Sequence, residues 1–240
     1  MRSLFIFMLG FVISTSFAQN IDEVAEEKTD SITVKPDPLY REDQFYASIS
    51  YVLMQNKPDG YDQNSVSTGL TMGFLRDMPI NEKRTYAIAV GLGYAYYNIK
   101  HDLKVTESAG AVFYEQEDAA DFDKNKQVLH YLELPIELRW RNSDDVSHKF
   151  WRVYTGFKIS YLFADKAQYY PLSGGSTKVK SNGDLNSIVY GAYISAGWNT
   201  WNLYAYYGIT PLYKQEARLN DDGQKINLNT VSLGLIFYIL

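Results

Sequence analysis

Residues 131–141 read YLELPIELRWR, and this stretch decides the fold. Leu132, Leu134, Ile136, Leu138 and Trp140 occupy every second position, with Glu133, Pro135, Glu137, Arg139 and Arg141 between them. Successive side chains of a β-strand point to opposite faces. One face of this strand is therefore hydrocarbon and the other carries acids and bases. Which of the two looks at water is the question for the whole chain.

The same period of two runs from Phe45 to the C-terminus. Residues 45–54 set Phe45, Ala47, Ile49, Tyr51 and Leu53 against Tyr46, Ser48, Ser50 and Val52; residues 68–76 and 85–97 follow suit. The opening stretch is the fourth such segment. Residues 150–163, 188–198, 201–211 and 230–239 complete a set of eight, most of them near the 9–11 residues that a tilted transmembrane strand needs. Connections after the first, third, fifth and seventh segments are long and polar. Those after the second, fourth and sixth are short: MPINEKR, NSDDVSHK and Asn199-Thr200. An even number of strands with alternating short and long connections predicts an all-β, eight-stranded, antiparallel up-and-down transmembrane barrel, with short periplasmic turns and long outer loops.

Composition bounds the alternatives. Aromatic residues make up 15% of the 240 residues, including 21 Tyr and 12 Phe, which favours strands and interface belts. The net charge of −5 argues against nucleic acid as a partner, and the absence of cysteine excludes disulfides and thiolate metal sites. Arg2, the apolar run LFIFMLGFVIS and Ser16-Phe17-Ala18 read as an export signal over residues 1–18, cleaved after Ala18. Residues 19–43 form a polar periplasmic leader with Pro36 and Pro38, and residues 44–240 form the barrel.

A soluble carrier barrel is apolar inside, and a membrane barrel is the reverse. All four tryptophans, Trp140, Trp151, Trp198 and Trp201, lie on the apolar face beside a short turn. Trp gathers at headgroup level, so the four predict a periplasmic-side aromatic belt and an apolar face turned to lipid. The polar face, rich in Gly, Ala and Ser, then lines a narrow lumen. Glu133, Glu137, Arg139, Arg152 and Lys158 fall inside, where charges must be paired, and the expected pairing runs across the fourth and fifth strands. Pro135 removes a ladder donor and predicts a bulge or an irregular hydrogen bond. Tyr154, Tyr193, Tyr204 and Tyr206 fill the interior, so no open pore is expected.

Chemistry finds little support. Glu133 and Glu137 are about 13 Å apart along a strand, too far for the 5–9.5 Å of a glycosidase pair. His101 and Ser108 share a loop with no spacing that forces them together; His130 falls near the outer end of the fourth strand, and His148 in a short turn. No catalytic residue, cofactor site or metal site is assigned, and no small-molecule substrate is expected. The acidic run at 115–123 (EQEDAADFD) reads as a solvated loop rather than a calcium site.

YREDQFYASISY, GFLRDMPINEKR, AIAVGLGY, LELPIELRWR, HKFWRVYTGFKISY and VSLGLIFYIL together resemble the PorT (SprT) family of Bacteroidetes outer-membrane proteins, over residues 40–240. The resemblance implies a non-enzymatic accessory or assembly component of the type IX secretion system, linked also to gliding motility, with other secretion proteins as partners. The alternatives are an envelope barrel for adhesion or integrity acting through its outer loops, and a lipid-modifying enzyme.

Overall fold

The computed structural model of the protein describes residues 43–63, 65–142 and 151–239. The export signal, the leader up to residue 42 and the turn that holds His148 lie outside the described residues. Eleven strands occur among them: β1 (Gln44–Gln55), β2 (Thr68–Pro79), β3 (Tyr86–Lys100), β4 (Leu103–Ser108), β5 (Ala111–Gln116), β6 (Phe122–Arg141), β7 (Trp151–Pro171), β8 (Thr177–Lys180), β9 (Ile188–Trp198), β10 (Trp201–Gly208) and β11 (Asn229–Ile239).

Eight of them close a barrel. Neighbours run β6-β3-β2-β1-β11-β10-β9-β7, and β7 returns to β6. Every pairing is antiparallel, and β1 against β11 joins the two ends of the chain's strand sequence from Phe45–Ile239 to Gln55–Asn229. Closure leaves no unpaired edge, the condition for a sheet to cross hydrocarbon. These eight are the segments marked out by the period of two.

The strands also point as that period requires. Leu203 is 71% exposed, while the next residue, Tyr204, is 4% exposed. Leu132, Leu134, Ile136, Leu138 and Trp140 face outward, whereas Glu133, Glu137, Arg139 and Arg141 are buried. Such an exterior is insoluble in water and matches acyl chains.

Three features differ from the sequence expectation. First, β6 and β7 are 20 and 21 residues long, about twice a membrane-spanning strand, and they continue beyond the barrel wall. Much of the expected 98–127 loop is thus strand: the end of β3, the β4–β5 hairpin and the start of β6. Second, the long connections are not simply solvated. Tyr61, Leu103, Val105, Tyr114, Leu185, Leu212, Tyr213, Leu219 and Ile226 are buried in one apolar cluster with Val52, Tyr97 and Leu129 of the wall. Their inward-facing apolar residues, too sparse to show a period, close the outer end. Third, Pro135 causes no bulge. Val90 pairs with Ile136 and Gly93 with Glu133 in one unbroken register, and the intervening pairs are missing. The irregularity is confined to hydrogen bonding, as a missing N–H predicts; the register shifts lie instead at Phe122/Lys124 and His130/Tyr131.

Inside, tyrosines lie over glycines of neighbouring strands. A side chain at Gly191 would strike the Tyr206 ring, and one at Gly93 would strike the Tyr46 hydroxyl. At these positions the wall holds a large ring because it lacks a Cβ atom. The enclosed void beside Glu133, lined also by Tyr97, Tyr131 and Tyr206, measures about 20 Å³, room for one water. Gly191→Val should lower stability by about 1–3 kcal/mol through overpacking. Adding Tyr206→Ala should cost less than the sum of the two single changes, measured as urea midpoints of the refolded barrel in detergent.

Candidate functional site

The short-turn end holds the densest polar construction of the molecule. Asp77 of β2 is fully buried and receives two arginines. Arg141 Nη1 and Nη2 donate to its two oxygens at 3.0 and 2.8 Å, and Arg139 Nη1 donates to Oδ1 at 2.9 Å. Arg139 Nε also donates to Glu137 at 2.7 Å. Asp77 and the arginines are separated by β3, whose facing residues are Ala87 and Ala89. Both alanines are fully buried. Only side chains that small let an arginine reach across a whole strand.

Glu137 is held further by the hydroxyls of Tyr193 at 2.8 Å and Tyr238 at 3.3 Å. The Arg139 guanidinium lies 4.8 Å from the centre of the Tyr154 ring, and Arg152 lies 5.8 Å from the same ring and 5.7 Å from that of Tyr238. One tier further in, Lys158 donates to Glu133 at 2.9 Å and sits among Tyr193, Tyr204 and Tyr206.

Of the five lumen charges read from the sequence, all are buried, but the expected pairing needs correction. Lys158–Glu133 does cross from β7 to β6. Arg139 instead binds Glu137 on its own strand and Asp77 two strands away. Arg152 meets rings. Sequence reasoning missed Asp77, which lies at the end of the second segment just before the short connection MPINEKR. The signal available was the run of small residues at 87 and 89, which marks space for a long side chain from elsewhere.

The cluster also shapes the rim. Arg141 Nε donates to the Arg84 carbonyl at 3.0 Å, and the Arg141 amide donates to that of Thr85 at 2.9 Å. Arg84 has φ 53°, a left-handed conformation uncommon for a side-chain-bearing residue. Asn81 completes the β2–β3 turn: its carbonyl accepts the Tyr86 amide at 2.9 Å and its amide donates to the Thr85 hydroxyl at 2.8 Å. Asp43, the last leader residue, accepts the Asp77 amide at 2.8 Å and pairs with Arg76 at 3.3 Å. The leader thus joins the barrel beside the RDMPIN turn.

The four tryptophans project outward on adjoining strands at this end. Trp198 pairs with both Trp151 and Trp201, Trp140 pairs with Tyr86, and Trp201 packs on Phe237 at 4.9 Å. A second aromatic group, not expected from the sequence, lies at the other end: Tyr94, Tyr96, His130 and Phe163, with the Tyr94 hydroxyl 2.7 Å from His130 Nδ1. His130 and Trp140 are ten residues apart on β6. That is about 33 Å along the strand, or about 25 Å of height at a 40° tilt, which equals the apolar band of an outer-membrane barrel.

The remaining candidates do not assemble. His101 is buried before β4, while Ser108 ends that strand at the exposed hairpin tip. Glu115 and Glu117 are engaged by Lys104 at 3.1 and 2.6 Å, and Asp118 accepts the Ala120 amide. Among the described residues no group of three or more His, Asp or Glu side chains is placed to hold a metal.

The family comparison agrees with this architecture. Residues 17–214 match the model of the outer membrane protein beta-barrel domain, and the chain belongs to that family. It is an outer-membrane β-barrel, and its apolar exterior sits in the lipid bilayer. No curated protein matches the chain. Among solved structures it is similar to Ail, the attachment invasion locus protein of Yersinia pestis, in complex with the heparin analogue sucrose octasulfate. The identity is 15%, with 82% of this chain and 99% of that chain covered and a TM-score of 0.37. A triple mutant of the Rh. blastica porin is 8% identical over the same shares, with a TM-score of 0.20.

Asp77→Ala leaves two buried guanidinium groups without their shared counter-charge. It should destabilise the barrel by roughly 3–5 kcal/mol. Asp77→Ala combined with Arg141→Met should recover part of that loss; refolding yields and urea midpoints in detergent micelles check both.

Proposed function

We propose that the protein is a non-enzymatic accessory or assembly component of the type IX protein secretion system that works through its periplasmic rim. The observation that carries this reading is the rim itself. The β2–β3 turn is held from inside by Arg141 and from within by Asn81, and the leader joins it through Asp43. A turn fixed in this way, with Asp43 anchored beside it, makes a contact surface for other envelope proteins. The filled interior supports the same reading, since the void at its centre is about 20 Å³ and no polypeptide passes through such a space. The quoted segments that resemble PorT proteins include this turn. An export signal at residues 1–18 and cleavage after Ala18 belong to the same proposal.

A second reading rests on the outer end. Its connections fold into an ordered cap with a shared apolar cluster, which suits an envelope barrel acting by adhesion through its loops.

The two separate in the cell. Replacing residues 80–85 with a minimal Asn-Gly turn should reduce secretion of exported proteins at least tenfold, while the barrel still inserts and keeps heat-modifiable gel mobility. Removing the β4–β5 hairpin should leave secretion unchanged. Normal secretion after the first change, or its loss only after the second, favours the loop reading instead.

A further inference from the structure

The outward face of the wall changes character just beyond the second aromatic group. His130 pairs with Tyr96 on β3 and Ala164 on β7. Moving outward from there, the positions on that same face are Val128 and Lys126 on β6, Lys100 on β3, Lys166 on β7, and Lys178 and Lys180 on β8. The shared face follows from direct cross-strand pairing: Lys126 with Lys100 and Gln168, Gln168 with Lys178, Val128 with Lys166, and Lys166 with Lys180. Lys124 continues the β6 row and lies over the Tyr170 ring, 5.8 Å from its centre.

Six lysines thus share one face of four adjoining strands, in a chain whose net charge is −5. Of the acids in these segments, Asp123 at the start of β6 is exposed, beside Lys124, and Asp165 is on the other face. Asp165 pairs with Leu129, which is buried in the interior cluster. Two of the lysine pairs, Lys100–Lys126 and Lys166–Lys180, are directly opposite one another, an arrangement that is destabilising by itself. A fixed anion between them would remove that cost.

Height identifies the anion. Lys126 is four residues beyond His130 on β6, about 13 Å along the strand and about 10 Å higher at a 40° tilt. That is the headgroup layer of the outer leaflet. Lysine is a compact point charge suited to phosphate, and the face carries no arginine for bidentate carboxylate recognition. A cavity of about 210 Å³ opens at its edge between Lys100 and Lys124. It is lined also by the exposed Asp123 and by His101 and Asn125, the last two about 96% buried. The Asn125 side-chain nitrogen has no hydrogen-bond partner among the described residues. Buried polar groups are ordinarily partnered. Burial pushes the His101 imidazole down to about 4, against a hydrogen bond with the Leu103 backbone, so it is neutral. The Ser65 hydroxyl, which accepts from Lys100 at 3.3 Å, can itself donate at the same place.

We propose that this lysine face, with the cavity at its edge, docks phosphate-bearing lipid headgroups of the outer leaflet. The face lies at the correct depth, sets six lysines against the one exposed acid Asp123 at the cavity, and offers the unpartnered Asn125 side-chain amide at its edge.

The test uses the full chain refolded in detergent micelles and titrated with phosphorylated lipopolysaccharide, then with the same lipid after enzymatic dephosphorylation. Binding is read by native mass spectrometry and by the side-chain NMR signal of Asn125. The phosphorylated form should bind at least tenfold more tightly and shift the Asn125 signal. Lys100→Gln, Lys126→Gln, Lys166→Gln and Lys180→Gln combined should weaken binding on the order of a hundredfold or more, given the attraction of each lysine to an anionic surface. These exposed or half-buried substitutions should keep wild-type heat-modifiable mobility. Equal binding of the two lipid forms by the wild type overturns the proposal, as does equal binding of phosphorylated lipid by wild type and variant. Should the variant fail to fold, the comparison of lipid forms on the wild type decides alone.

Discussion

Asp77 holds the short-turn end of the molecule together. A charge inside a narrow barrel has neither bulk water nor acyl chain to answer it, so its partners must come from the wall. Asp77 accepts three hydrogen bonds from Arg139 and Arg141, and much else follows from that. Arg139 is oriented onto Glu137, Glu137 gathers the hydroxyls of Tyr193 and Tyr238, and Arg141 fixes the Arg84 carbonyl at the rim. The alanines at 87 and 89 are needed because the guanidinium must cross their strand. Interior pairing and turn conformation are therefore one construction.

The barrel is filled differently at its two ends. Charges and tyrosine hydroxyls fill the lower part, and the aliphatic and aromatic side chains of β4, β5 and the long connections fill the upper part. Neither leaves a passage through the described residues. The surfaces are a rim of short turns below, an ordered cap above, and between them an exterior that is apolar for about 25 Å, the height of an outer-membrane barrel's apolar band. The lysine face begins where that apolar zone stops. Its charges would be unfavourable against each other in plain water, and they make sense beside an anionic leaflet.

The alternation of Leu132, Leu134, Ile136, Leu138 and Trp140 with Glu133, Glu137, Arg139 and Arg141 was enough to determine strand, sidedness and membrane class. Side-chain direction in a strand depends only on position along the chain, and eight repeats of that pattern with alternating connections leave little choice but closure. The burial of Glu133, Glu137, Arg139, Arg152 and Lys158 was legible for the same reason. Their partners were not. Asp77 lies 62 positions from Arg139 along the chain, and nothing local brings the two together; that contact depends on how β2, β3 and β6 are staggered and on which residues between them are small. The extension of β6 and β7, the apolar cap and the lysine face were equally hidden, because each is assembled from short pieces of several strands. Local periodicity reports what one strand presents to its two sides, whereas registers between strands decide which side chains meet, and those exist only once the sheet has closed.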